Sequence, residues 1–164
     1  MAEYKDIKGY KIQVTDTDPI VYAGAWAAGG SLNQARYSIA GAGTQTAGLA
    51  FGGYSAPSRR DETEEYNGTS WSEQNELNMA RNELTGAGTQ TSALAAGGYS
   101  PSVPGATNDA ETYNGTSWTE ITNLNTARDG LGSTAVGAVN TAVIVVSGAP
   151  NSAAVEQWNG SGGY

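Results

Sequence analysis

Short apolar stretches alternate with glycine and polar turns along most of the chain, and the alternation returns after about 45 to 47 residues. The stretch 47–51 is followed by Gly52-Gly53, and its counterpart is followed by Gly97-Gly98. Each glycine inside these Ala-rich stretches would cost about 1 kcal/mol in a helix, so the pattern favours strands. We therefore predict an all-β fold built from repeated units.

The turn residues place four strands in each complete unit. In the first unit these are residues 37–43, residues 47–51 after a Thr-Gln-Thr turn, residues 63–66, and a fourth strand that begins at Trp71. Asn67-Gly68 is the pair that most favours a two-residue hairpin turn, and we expect it to join the last two strands. Four antiparallel strands in a unit of this length match the blade of a propeller.

The order of these residues resembles the kelch motif of β-propeller proteins, over residues 21–160. The residues that carry the resemblance are Arg36, Gly52, Gly53, Tyr66 and Trp71, then Arg81, Gly97, Gly98, Tyr113 and Trp118, and finally Arg128 and Trp158. The third copy departs from the motif, because Ser147-Gly148 replaces Gly-Gly and Trp158 stands where Tyr is expected. The resemblance implies three kelch-type, four-stranded β-propeller blades, at about 21–71, 72–118 and 119–164.

A narrower resemblance rests on the near-identity of the copies, on the segment 40–47, and on the leader residues 4–9 and 16–19. In these features the chain resembles kelch-like proteins of tailed bacteriophages. The resemblance implies that residues 1–20, with a short strand within 7–14, form a virion-attachment leader. It also implies that the repeats form a tail-fibre or appendage domain of a virion assembled in the host cytoplasm.

The repeat pattern begins with a fourth strand and ends after a third strand, so the strand missing at one end is present at the other. Trp26, Trp71 and Trp118 each stand ten residues before an Arg, so Trp26 is predicted to begin a fourth strand that lacks a blade. The third unit is predicted to stop after a third strand at residues 155–159. Unpaired edges invite association, and propellers need about four to eight blades. We expect self-association into a six-bladed ring of two chains, or docking onto other virion proteins.

Composition excludes several classes of function. The formal net charge is −8, and the sequence has neither histidine nor cysteine. Phosphate binding needs clustered Lys and Arg, and only Arg59 and Arg60 are adjacent, so nucleic acid is not an expected partner. No apolar run approaches the about 18 residues of a membrane-spanning helix, so membrane insertion is not expected. We expect no metal and no cofactor.

The repeated charged and aromatic residues have a structural and a functional interpretation. Glu64 and Glu111 precede the Tyr at matched places, and paired acids could serve a glycosidase or bind calcium. A solvated strand face is the favoured alternative. The once-per-unit Arg36, Arg81 and Arg128 could line a ligand funnel, but bonds to carbonyls or acids of a neighbouring blade are favoured. Trp71 and Trp118 are expected to pack between blades.

The loop between the second and third strands is the candidate binding site, because the copies differ most there. Its candidate residues are Tyr54, Arg59 and Arg60 in the first unit and Tyr99, Pro101 and Asn108 in the second. Divergent loops on one face of a uniform scaffold are typical of binding proteins, although simply tolerated loops would look the same. We expect a non-enzymatic phage structural protein that contacts a host surface glycan or protein, or other virion proteins. A polysaccharide lyase or glycosidase and a cellular interaction scaffold are the alternatives.

Overall fold

The structure is a computed structural model that describes residues 26–103, 105–135, 140–150 and 152–160. The predicted leader at residues 1–20, including its strand within 7–14, lies outside the described residues. Within the described part of the chain the secondary structure consists of strands, and no helix occurs there. The strands are β1 (Ala40–Thr44), β2 (Ala47–Phe51), β3 (Tyr54–Ser55), β4 (Ser58–Arg59), β5 (Thr63–Tyr66), β6 (Trp71–Gln74), β7 (Thr85–Thr89), β8 (Ser92–Ala96), β9 (Tyr99–Ser100), β10 (Gly105–Ala106), β11 (Ala110–Tyr113), β12 (Trp118–Glu120), β13 (Gly132–Ala135), β14 (Val143–Val146) and β15 (Val155–Trp158).

Three antiparallel sheets follow one another along the chain. The first sheet has the order β1-β2-β5-β6, the second has β7-β8-β11-β12, and the third has β13-β14-β15. Two short hairpins, β3–β4 and β9–β10, lie in the loops between the second and third strands of the first two sheets. The all-β prediction is confirmed. The third sheet has three strands among the described residues, which is the number expected for a unit that stops after its third strand.

The first strand of the first sheet is shorter at its start than predicted. It begins at Ala40, because Ser38 has a positive φ of 53° and turns the chain out of the extended conformation. Tyr37, which the prediction included, instead forms an isolated bridge with Tyr54 in the hairpin loop. The same break recurs at Glu83, with a φ of 57°, ahead of β7.

The predicted strand at Trp26 does not form. Residues 26–36 carry no strand, and the Trp26 side chain is fully exposed, at 103% of its reference area. A strand needs a neighbour for its backbone N–H and C=O groups, and this segment forms no ladder of backbone bonds with a described strand. The segment is held by other bonds, of which the backbone N–H of Asn33 to Glu64 at 2.8 Å is one.

The loop between the third and fourth strands has four residues where two were predicted. Tyr66 pairs with Trp71 across the first sheet, so residues 67–70 form the loop. The side-chain oxygen of Asn67 accepts the backbone N–H groups of Thr69 and Ser70 at 3.0 Å each, which satisfies donors inside the loop. The second sheet repeats this arrangement at Asn114.

The three sheets pack in a row through their first strands. Strand β7 lies between β1 and β13. A Cβ atom on Gly86 would come within 2.6 Å of the Gly41 carbonyl oxygen, so the backbones approach closely at this point. Ser133 on β13 donates to the Gly86 carbonyl at 2.7 Å. Apolar side chains fill the two junctions, with Phe51 and Trp118 at the first and Leu94 and Val145 at the second.

The Gly-Gly pairs connect each sheet to the chain segment that enters the next one. Gly53 donates to the Arg81 carbonyl at 2.9 Å, and Gly98 donates to the Arg128 carbonyl at the same distance. A Cβ atom on Gly97, which has a φ of 62°, would lie 2.6 Å from the Arg128 carbonyl oxygen. Both the positive φ and the close approach explain why glycine occupies this position.

Candidate functional site

An isolated backbone bridge to the loop after the second strand is formed in the same way in each unit, and in the first two units this loop carries a short hairpin. The residue after the once-per-unit Arg pairs with a residue at the start of the loop after the second strand. The pairs are Tyr37 with Tyr54, Asn82 with Tyr99, and Asp129 with Ala149. The backbone bonds of the first two pairs are 2.7 to 3.1 Å long. As the sequence predicted, the loop that leads into the first strand and the loop after the second strand share one face. The backbone frame is thus constant, and the side chains on it change from unit to unit.

An aromatic and cationic cluster joins the first hairpin to the second. The Arg59 guanidinium lies 4.2 Å from the centroid of the Tyr99 ring and 5.9 Å from that of Tyr54. The rings of Tyr37 and Tyr54 are 5.3 Å apart and tilted by 59°. Cation–π contacts of this kind hold a guanidinium in place. We call these four residues, Tyr37, Tyr54, Arg59 and Tyr99, the Tyr/Arg cluster.

Arg60 takes part in a separate polar group beside the Tyr/Arg cluster. Its Nη1 lies 3.2 Å from Glu62 Oε1, and both side chains are partly exposed. In the amide orientation that pairs both of its atoms, Gln34 donates to Glu62 and accepts from Arg60. Arg60 is therefore already paired. Arg59 makes no ion pair with any described residue.

The two remaining candidates of the second unit, Pro101 and Asn108, differ in solvent exposure and in bonding. Pro101 is exposed in the turn after β9. Asn108 is half-buried, and its side-chain amide donates to the Leu124 carbonyl at 3.0 Å. Asn108 therefore binds the chain segment that enters the third sheet. Its side chain is less accessible to a ligand than that of Pro101.

An Asn–Glu–Arg cluster with a buried Arg side chain stands at the matching place in every unit. In the second unit Arg81 Nη2 lies 2.9 Å from Glu111 Oε1, while Asn78 donates its backbone and side-chain N–H groups to Glu111 Oε2 at 2.9 and 2.8 Å. The first and third units repeat the arrangement with Asn33, Glu64 and Arg36, and with Asn125, Glu156 and Arg128. Each Arg thus binds an acid of the sheet into which it leads.

These clusters bear on the chemistry that the acids can perform. The side chains of Glu64 and Glu111 are 1% exposed, and each accepts bonds on both oxygens. Burial lowers the pKa of Arg81, whereas the nearby Glu111 carboxylate opposes this effect. These carboxylates are buried and bound to Arg and Asn through both oxygens, which shields them from a substrate or a metal ion in this arrangement. Across the described ranges, no three acids stand close enough to hold a metal ion.

Two of the repeated aromatic residues lie at the junction of the first and second sheets. Trp118 packs on Phe51, with ring centroids 4.8 Å apart, and its Nε1–H donates to Thr63 Oγ1 at 2.9 Å. The Tyr113 hydroxyl donates to Glu65 Oε1 at 3.2 Å. Burial, with the neighbouring Glu65 carboxylate, raises the pKa of Tyr113 to about 12. By contrast, Trp71 packs on Tyr66 within its own sheet.

Sequence reasoning placed the variable loops correctly but missed two features. It missed Tyr37, because that residue is Asn82 in the second copy and has no repeated signal. It also missed the role of Asn33, Asn78 and Asn125, although the recurring Leu-Asn-x-Ala-Arg segment contained the signal.

No helix in the described ranges is long and apolar enough to cross a membrane. No protein-family model matches the chain, and none of the curated proteins compared with it is a match.

Proposed function

We propose that this chain is a non-enzymatic binding module with kelch-type propeller blades, which presents its hairpin face to a glycan or protein surface. The observation that carries the proposal is the Tyr/Arg cluster. It joins two hairpins that differ in sequence and length, while the sheets beneath them keep the same frame. Divergence confined to one face of a repeated scaffold is typical of recognition surfaces.

The chemistry of the Tyr/Arg cluster supports a binding role. Tyr and Arg are enriched among the residues that dominate binding energy, because they combine a large rigid contact surface with hydrogen-bonding groups. The Tyr37 side chain is 63% exposed, and the Arg59 guanidinium is already ordered between two rings. An ordered side chain loses less conformational entropy on binding than a mobile one.

The repeated sheets support the propeller assignment. Their first strands pack side by side, and in two units the strand order runs from this inner strand outwards to the fourth. That arrangement fits blades placed around a common axis. The three described sheets would then be part of a ring.

We further propose that the module belongs to the virion of a tailed bacteriophage, as a tail fibre or another appendage. The support is the resemblance of the repeats and the leader to phage kelch-like proteins. Within this proposal the leader at residues 1–20 attaches the module to other virion proteins, and the hairpin face contacts the host. The occupied state of Glu64 and Glu111 counts against a glycosidase that would use this pair of acids.

The proposal is tested with purified particles of the phage that encodes the chain. Mass spectrometry of the particles should detect peptides of this protein, and deletion of residues 1–19 should leave the fold intact but abolish incorporation. Purified protein should also bind host cells without releasing sugar fragments from host polysaccharide. Absence from particles would contradict the virion role, and released sugar fragments would favour an enzyme.

A further inference from the structure

An open apolar groove lies between the second and third sheets. It encloses about 360 Å³ and runs along β15, all four residues of which line it. The apolar side chains in its wall are Leu94, Ala96, Ala110, Ile121, Leu124, Val145, Val155 and Trp158. In the other two sheets the third strand has a fourth strand beside it, but β15 pairs only with β14 among the described residues.

The equivalent place at the first junction is filled by a tryptophan. Phe51 pairs with Thr63 in the first sheet, and Ala96 pairs with Ala110 at the same register of the second. Trp118, the first residue of the fourth strand β12, covers Phe51 and donates its N–H to Thr63 at 2.9 Å. It is 6% exposed. The groove is therefore the site that a fourth-strand tryptophan would occupy in the third sheet.

Trp26 is a fourth-strand tryptophan without such a site. It stands ten residues before Arg36, as Trp118 stands ten residues before Arg128. Its side chain is fully exposed, which is an unfavourable place for a large apolar group. The chain that follows it is fastened to the first sheet, where Asn33 binds Glu64 at 2.8 Å.

We propose that the groove binds the Trp26 segment of a second copy of this chain, which adds a fourth strand to the third sheet. The second sheet separates the first and third sheets in the row, and the Trp26 segment is bound through Asn33 to the first sheet, on the other side of the second sheet from the third. The buried Nε1 of Trp158 has no acceptor among the described residues, and an added strand carries carbonyl groups to that edge.

The repeat fixes the register of the added strand. Tyr113 pairs with Trp118 and Thr112 with Thr119 in the second sheet. The equivalent pairs are Trp158 with Trp26, and Gln157 with Ala27, each pair spanning two chains. Cα atoms opposite each other in an antiparallel pair are about 4.5 to 5.5 Å apart, which a disulfide can span.

The first test measures mass in solution as a function of concentration. The parent should associate, and Trp26→Ala should weaken association by at least about a hundredfold, because truncation of a buried Trp costs about 3 to 5 kcal/mol. Since Trp26 is fully exposed in the single chain, its replacement leaves the fold unchanged. Val103→Ala, which removes another exposed apolar side chain, should associate like the parent. A monomeric parent, or equal association of the two variants, would overturn the proposal.

Two further variants identify the site and the donor. Ala110→Thr restores the hydroxyl that Thr63 offers to Trp118, so association should become about threefold to tenfold tighter. The double variant Ala27→Cys with Gln157→Cys should give a disulfide-linked pair of chains on a denaturing gel. Unchanged association of Ala110→Thr would contradict the groove as the site, and a disulfide within one chain would contradict the second copy as the donor.

Discussion

The buried Arg81–Glu111 ion pair in the Asn–Glu–Arg cluster of the second sheet should carry a large share of the stability of the chain. Glu111→Gln removes the charge that faces Arg81, and both side chains are at most 1% exposed. The new amide also turns an NH₂ group towards N–H donors, which come from Arg81 on one side and Asn78 on the other. Breaking a buried ion pair at one partner costs about 3 to 5 kcal/mol, because the remaining charge stays buried. We expect a loss of that size in the free energy of unfolding.

The assay is urea unfolding followed by tryptophan fluorescence and circular dichroism. Glu62→Gln is the matched control, because its partner Arg60 is 3.2 Å away and both side chains are 20% to 27% exposed. A partly exposed pair of this kind contributes about 1 kcal/mol, less than a fully buried one. If Glu111→Gln loses no more stability than the control, the buried clusters do not hold the repeat together and the reasoning is refuted.

Three other perturbations test the turns, the sheet junctions and the buried tyrosine. Gly97→Ala should unfold more easily than Gly130→Ala, because both have a φ near 62° but only the Gly97 Cβ would clash, at 2.6 Å from the Arg128 carbonyl oxygen. The ~1–2 kcal/mol that the positive φ costs is common to both variants and cancels, so the difference between their free energies of unfolding in urea measures the clash, and equal losses would contradict the close approach. Gly115→Val should also destabilise, since its φ of 89° suits glycine, and a parent-like melting temperature would count against the loop assignment. Folding raises the Tyr113 pKa to about 12 from an ordinary value near 10, so the contribution of this tyrosine to stability is complete below pH 10 and is lost as the pH rises towards 12. Tyr113→Phe should lack this loss of stability in unfolding curves measured across that range. Identical pH dependence of the two proteins would refute the role of Tyr113.

The sequence was sufficient for the strand order, because that order depends on features that repeat. The Gly-Gly ends, the Asn-Gly loops and the apolar strands between them recur, and each has a local physical cause. The Tyr/Arg cluster was harder to predict as a unit. Its members come from adjacent hairpins, and their contact depends on how the first two sheets pack.

Features that depend on a neighbour were the least predictable. The Trp26 strand failed to form because strands are stabilised by pairing, which a sequence pattern does not supply. The break at Ser38 was missed because a positive φ at a serine has no signal in the residue type. Likewise, the buried position of Glu64 could not be read from a strand that carries two acids in succession.

The most direct test of the binding proposal compares variants in loops at the two opposite ends of the strands. Binding to host cells should be measured by flow cytometry for Arg59→Ala and Tyr99→Ala on the hairpin face, and for Gln45→Ala in the exposed turn between β1 and β2. All three should keep the far-ultraviolet circular dichroism of the parent. We predict at least tenfold weaker binding for the two hairpin variants, as expected for contact residues worth more than about 1.4 kcal/mol, and parent-like binding for Gln45→Ala. Parent-like binding by both hairpin variants, or weakened binding by Gln45→Ala alone, would contradict the account.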